Sequence, residues 1–144
     1  MAKPTRGDAE LILQLVGLLQ SAEQADARRW FFKEFKAKDF AEFNKNYPKS
    51  SDERQKVSTV LGFFETAGVL VWHGLLNADL FFDLSFGLEL VYQKVAPIIP
   101  GWQKQAKAPA LWENVQWLAE GAETWNKTVW KPKVTAVTTS RPRR

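Results

Sequence analysis

Apolar residues recur at spacings of three and four along most of the chain. The first such run is LILQLVGLLQ, where Leu11, Leu15, Leu18 and Leu19 share one side of a helix. Asp8 is placed to cap this helix, and Glu10 sits in its first turn, where free amide groups favour a negative charge. Ser21 and Gln24 then have the spacing of a capping box, which predicts a second helix through about Lys38. In AEQADARRWFFKEFKAK, Ala27, Phe31 and Phe35 stack on one face, flanked by Trp30 and Phe32. Arg28 falls inside that face, between Phe32 and Phe35, whereas Arg29 turns toward the polar side. KDFAEFNKNYPKSSDE reads as a turn or two of helix, with Phe40 and Phe43 clipped onto the core, then a stop at Tyr47-Pro48. Ser50, three residues before Glu53, predicts the start of the next helix.

That helix runs into VLGFFETAGVLVWHGLL, in which Glu65 and His73 are the only ionisable residues. The apolar run from Val57 to Leu76 is long enough to cross a bilayer. A carboxylate near its midpoint would cost roughly 2.5 to 3.5 kcal/mol on insertion, however, and Ser58, Thr59, Thr66, His73 and Asn77 weaken it further. No transmembrane span is expected. Val57, Val60, Phe64, Ala67 and Val71 form one stripe, Leu61, Gly68 and Trp72 a second, and Phe63 with Leu70 a third. A helix apolar on all sides is the one the others surround.

Gly74 ends this helix, and Asn77 caps a short one over ADLFFDL. Leu84, Leu88, Val91 and Val95 continue the helical period until Pro97 kinks or ends it. Pro109 opens the last helix, in which Leu111, Val115, Leu118, Ala122 and Trp125 face one way and Glu113, Gln116, Glu120 and Glu123 the other. No alternating β pattern interrupts the series. The fold class is therefore all-α: a single-domain bundle of about six helices around a central apolar helix, with a flexible basic C-terminal tail. Residues 1–8 form an N-terminal extension, 9–130 the helical domain and 131–144 the tail.

Charge sharpens that division. The net charge of +4 conceals a body, residues 1–130, that is nearly neutral, with fifteen Lys or Arg against sixteen Asp or Glu. Lys131, Lys133, Arg141, Arg143 and Arg144 carry all the excess and have no acid among them. With 144 residues, nineteen of them aromatic, there is enough apolar surface for one real core. The absence of cysteine rules out disulfides, thiolate metal sites and a cysteine nucleophile, and fits a cytoplasmic location. MAKPTRGD is too polar and too short for a secretory signal.

Glu65, projecting from the buried helix, needs a cation or a proton. Arg28, stranded on an apolar face, has the complementary need, so a buried Arg28–Glu65 ion pair is expected to fix the register of the two helices. His73 is the other polar candidate, as a capping or interfacial residue near a helix end. No HExxH, phosphate loop or nucleophile elbow is present, so no catalytic residue, metal site or cofactor is assigned. Trp72, Trp112 and Trp125 lie on or beside apolar stripes and read as packing residues. Trp102, Trp117 and Trp130 are less committed and are candidates for an exposed interaction surface.

ARRWFF, FFETAGVLVWHGLLNADL and LWENVQWLAEGA, in this order, resemble the bacterial family known only as domain of unknown function 4760. The resemblance spans roughly residues 9 to 125 and picks out Arg28, Glu65, Gly68 and Gly74; it departs from the family pattern at Gln93 and Gln116. It implies helix packing and says nothing of an activity. Three functional classes follow. The leading one is a non-enzymatic module that docks a protein partner or a second copy of itself. The alternative is a peripheral binder of nucleic acid or acidic membrane through the basic tail. The least favoured, an enzyme centred on Glu65, requires a solvent-connected pocket beside that carboxylate.

Overall fold

The first helix begins ahead of its apolar repeat. Thr5 accepts a hydrogen bond from the Asp8 amide, and the Asp8 carboxylate accepts from the Thr5 amide at 2.7 Å, a reciprocal box that starts α1 (Arg6–Leu19). Asp8 is thus the third residue of the helix and not its cap, and residues 6–8 belong to the helical body instead of an extension. Ser21 caps α2 (Ala22–Lys33) through the Gln24 amide, as its spacing predicts. The helix stops at Lys33, short of Lys38, and the chain turns so that Phe35 enters the core with 1% of its surface exposed.

The computed structural model describes residues 2–134, and within them the chain forms eight helices and no strand. After α2 come α3 (Phe40–Asn46), α4 (Asp52–Trp72), α5 (Ala78–Leu84), α6 (Leu88–Val95), α7 (Ile99–Ala106) and α8 (Glu113–Thr128). The all-α bundle is as expected. The count exceeds six because residues 40–46 and 99–106 are short helices in their own right. Gly101 shows how closely these two meet, since a Cβ there would lie 2.4 Å from Phe40 Cβ. Ser51, not Ser50, caps α4. The last helix starts at Glu113, not Pro109, because Trp112 adopts a left-handed backbone with φ of 62°.

α4 is the centre. It packs most extensively on α2 and α8, and Val57, Val60, Leu61, Phe64 and Ala67 are wholly buried. Phe64→Ala would remove a side chain worth about 3 to 5 kcal/mol in such a setting. α6 reaches α2 by Lys94, whose Nζ donates to the carbonyls of Phe31 and Phe35 at 3.0 and 2.6 Å and so closes the negative end of that helix. Burial pushes the Lys94 amine below its ordinary value. α5 joins α8 by a hydrogen bond of 2.7 Å from the Trp125 indole to Asp79. None of these helices is long and apolar enough to cross a membrane. Beyond α8, Lys131 is exposed and Lys133 pairs with Asp83 at 2.7 Å, so the tail is attached at its start. Arg141, Arg143 and Arg144 lie outside the described residues.

Asp8 ties the two ends of α1's neighbourhood together, since its second oxygen accepts from the Asn77 amide at 2.8 Å, at the cap of α5. The Thr5 amide foremost, with that of Asn77, holds the carboxyl below its ordinary value of 3.8 against the opposing effect of burial. A carboxyl with a depressed folded pKa stabilises the fold above its unfolded value and loses that contribution as pH falls through the folded one. Urea denaturation from about pH 6 to below about pH 4 should show a steeper acid loss for the native chain than for Asp8→Asn. Parallel curves would exclude Asp8 from the acid-sensitive contacts.

Candidate functional site

Trp112 has neither a side-chain acceptor nor an extended backbone, so α8 begins without a local cap. Its free amides are satisfied from α4. Glu65 Oε1 accepts from the amides of Asn114 and Val115 at 3.1 and 3.2 Å, and Oε2 accepts from the Asn114 side-chain amide at 2.8 Å. These are the second and third residues of α8, the groups an N-cap side chain ordinarily serves. The carboxylate also sits at the positive end of the helix dipole. Close approach requires Gly68, one turn further along α4, where a Cβ would fall 2.7 Å from Asn114 Cβ.

The expected Arg28–Glu65 pair is therefore absent. Lys56, nine residues before Glu65, meets Asp26 of α2 at 3.3 Å. Nine residues are about 900° of rotation, which puts Glu65 on the opposite side of α4 from α2. Arg28 instead donates from Nη2 to the Phe86 carbonyl at 3.0 Å and lies over the Phe32 ring at 5.4 Å. It holds the turn in which Ser85, Phe86 and Gly87 all have positive φ. Burial pushes its guanidinium below the ordinary value, and Nη1 has no acceptor.

The end of α4 beyond Glu65 is not enclosed. Val69 and Trp72 are 42% and 62% exposed, so the central helix is wrapped over most of its length and bare at its C-terminal turns. Trp72 meets Trp117 of α8 edge to face at 5.1 Å. Together with His73, Glu113 and Asn114 they line a cavity of about 520 Å³. Trp117 also borders a second, more apolar cavity of about 470 Å³, walled by Phe82, Gly121, Trp125 and Val129 with Glu120 at its edge. The two form adjoining grooves about one indole. No Lys or Arg lines either of them.

Of the three tryptophans expected outside the core, only Trp117 takes part in this surface. Trp102 is buried with 8% exposure, packed against Phe43 at 5.0 Å and Trp112 at 5.5 Å, because α7 lays it onto α3. Trp130 is half-buried against the core. Trp72, read as a packing residue, is the most exposed aromatic of the groove. His73 is exposed at the C-cap of α4, and its backbone amide donates to the Val69 carbonyl at 3.1 Å. Glu65 is half-buried with both oxygens engaged, an arrangement suited to holding a helix and not to exchanging protons with a substrate. Among the described residues no group of three or more His, Asp and Glu could hold a metal ion.

Sequence inspection missed Arg54 altogether. It is buried at 4% exposure in the first turn of α4, with its guanidinium 4.7 Å from the Phe43 ring and 5.0 Å from that of Trp102. Its position after Ser51 and Glu53 reads as a solvated helix start. Only the separate helix α7 brings an indole over it.

The chain matches the model of a family described as Domain of unknown function (DUF4760) over residues 4–125. No curated protein and no solved structure matches it.

Glu65→Ala should destabilise the domain by about 1 to 3 kcal/mol, and Glu65→Gln by less, since an amide oxygen still accepts from both backbone amides once Asn114 turns round. In a double-mutant cycle by urea denaturation, Arg28→Ala and Glu65→Ala should couple by less than about 0.5 kcal/mol. A coupling of several kcal/mol would restore the ion pair. Gly68→Ala should cost about 1 to 3 kcal/mol by pushing α8 off α4.

Proposed function

The chain belongs to the DUF4760 family, and we propose that it is a non-enzymatic helical module that docks an amphipathic helix of a partner protein along the Trp72–Trp117 grooves. The carrying observation is the exposure of Trp72, at 62%, in the last turn of the central helix, with Leu75, at 61%, just beyond its end. Tryptophan is the residue most enriched among interface positions that dominate binding energy, and the Trp72 indole, in contact with Trp117 on one side, leaves most of its surface to solvent. The grooves are open, one of mixed polarity and one largely apolar, a surface suited to the anchors and polar flank of a helix at positions i, i+4 and i+7.

Charge selects the partner. Glu113 lines one groove and Glu120 the other, and no Lys or Arg lines either cavity. A helix with leucine or phenylalanine anchors and flanking Lys or Arg complements that rim, which favours encounter and rejects acidic competitors. The basic tail supports a second reading, recruitment of nucleic acid or an acidic membrane, resting on Lys131, Lys133, Arg141, Arg143 and Arg144. Lys133, already engaged by Asp83, weakens it.

Fluorescence anisotropy with labelled synthetic peptides distinguishes these. A basic amphipathic helix of about sixteen residues should bind the full chain and a variant lacking residues 135–144 alike, and Trp72→Ala should weaken binding about tenfold or more. Equal binding of an acidic-faced peptide, or an unchanged affinity in Trp72→Ala, would defeat the groove. Binding of a labelled oligonucleotide or of anionic vesicles that disappears with the tail would support the alternative, and a concentration-dependent dimer that buries Trp72 would make the occupant a second copy.

A further inference from the structure

Arg54 is a buried cation with no anion. Nη1 donates to Asn44 Oδ1 at 3.0 Å and to the Tyr47 carbonyl at 3.2 Å, and Nη2 donates to Gln105 Oε1 at 2.7 Å. All three acceptors are neutral. The rings of Phe40, Phe43 and Trp102 surround the guanidinium at 4.7 to 5.7 Å, which contributes cation–π attraction but no counter-charge. Among the described residues no carboxylate forms an ion pair with it. A guanidinium offers five donors, and the three bonds above leave the Nε–H and one Nη2–H without an acceptor. An uncompensated charge in such surroundings is strongly unfavourable, and an anion brought to it regains attraction in a low-dielectric setting.

The same residue opens onto a cavity of about 250 Å³ between α4 and α7. Lys49 supplies a second cation at its rim, Ser58 a hydroxyl, and Gln55 and Gln105 amides, while Trp102 forms an apolar wall. No Asp or Glu lines it. Two positive charges and several neutral donors around one small space match the charge and the acceptor oxygens of a phosphate group better than they match a single carboxylate. The volume is several times the roughly 30 Å³ that a water occupies, so a phosphate bearing a small organic substituent also fits.

We propose that the Arg54–Lys49 cavity is a binding site for a phosphate group, either inorganic phosphate or a small phosphate monoester. The guanidinium, fixed by Asn44, Tyr47 and Gln105 within its aromatic box, is pre-organised, and the exposed Lys49 ammonium supplies the second charge from the rim. The site shares no lining residue with the Trp72–Trp117 grooves and stands independently of their occupant.

Isothermal titration of the full chain with inorganic phosphate and with O-phosphoserine, at constant ionic strength, tests it. Saturable binding is expected for at least one, and the tighter of the two identifies free phosphate or a monoester as the ligand. Lys49 is exposed, so Lys49→Ala should leave thermal unfolding unchanged without ligand while weakening binding about tenfold, and Lys49→Arg should retain it. A variant lacking residues 135–144 should bind as the full chain does. Absence of saturation with both ligands, equal affinity in Lys49→Ala, or loss of binding with the tail would each overturn the proposal.

Discussion

The structure depends on a carboxylate serving as the cap of a helix other than its own. α8 starts at Trp112 in a left-handed conformation, a state costing roughly 1 to 2 kcal/mol for a residue with a Cβ, and no side chain of its own segment accepts from its first amides. Glu65 supplies the acceptor from the middle of α4. One contact thereby settles two problems, a polar group on an apolar helix and an uncapped helix end. It also fixes where α8 begins relative to α4, and so which residues meet further along: Gly68 against Asn114 and Leu118, then Trp72 against Trp117. The grooves about Trp117 are a consequence of that register.

The same economy governs the other charges that are wholly or partly withdrawn from solvent. Asp8 is held by the amides of Thr5 and Asn77, Lys94 by carbonyls at the end of α2, and Arg28 by the Phe86 carbonyl. In each case a formal charge meets backbone dipoles and not an opposite charge. Among the described residues the ion pairs lie toward the surface, as with Lys127–Glu123 and Lys56–Asp26, where such pairs contribute little. Backbone partners are fixed in place by the helices themselves, so a charge bound to them positions one helix against another without ordering a second long side chain. Arg54 is the exception, since its partners are largely side chains and aromatic faces.

These two arrangements bear differently on function. Where a charge is satisfied by a helix end, as at Glu65, its chemistry serves architecture, and it is the neighbouring indoles and acidic side chains that the proposed docking would use. Where a guanidinium keeps free donors beside a second cation, as at Arg54, the surroundings favour an anionic ligand. The helical body thus presents an apolar, acid-edged face at the end of α4 and a cationic cavity near its start.

Much of the helical plan was legible in the sequence because its signals are local. Ser21 and Asn77 cap helices where their spacing to the following amides says they should, and the periodicity of Val57, Val60, Phe64 and Ala67 identifies the buried helix. These cues act over one turn of chain. The partners of Glu65 and Arg28, the burial of Trp102 and the exposure of Trp72 depend instead on how far each helix is rotated against its neighbours and where those neighbours start. A half-turn of α4 separates the face that meets α2 from the one that meets α8, and the left-handed backbone at Trp112 moves the start of the last helix past Pro109. Sequence alone established that the chain forms a helical bundle around α4; tertiary structure alone decided which charge meets which helix end and which indole meets solvent, because azimuth and register are properties of helix pairs and not of any one segment.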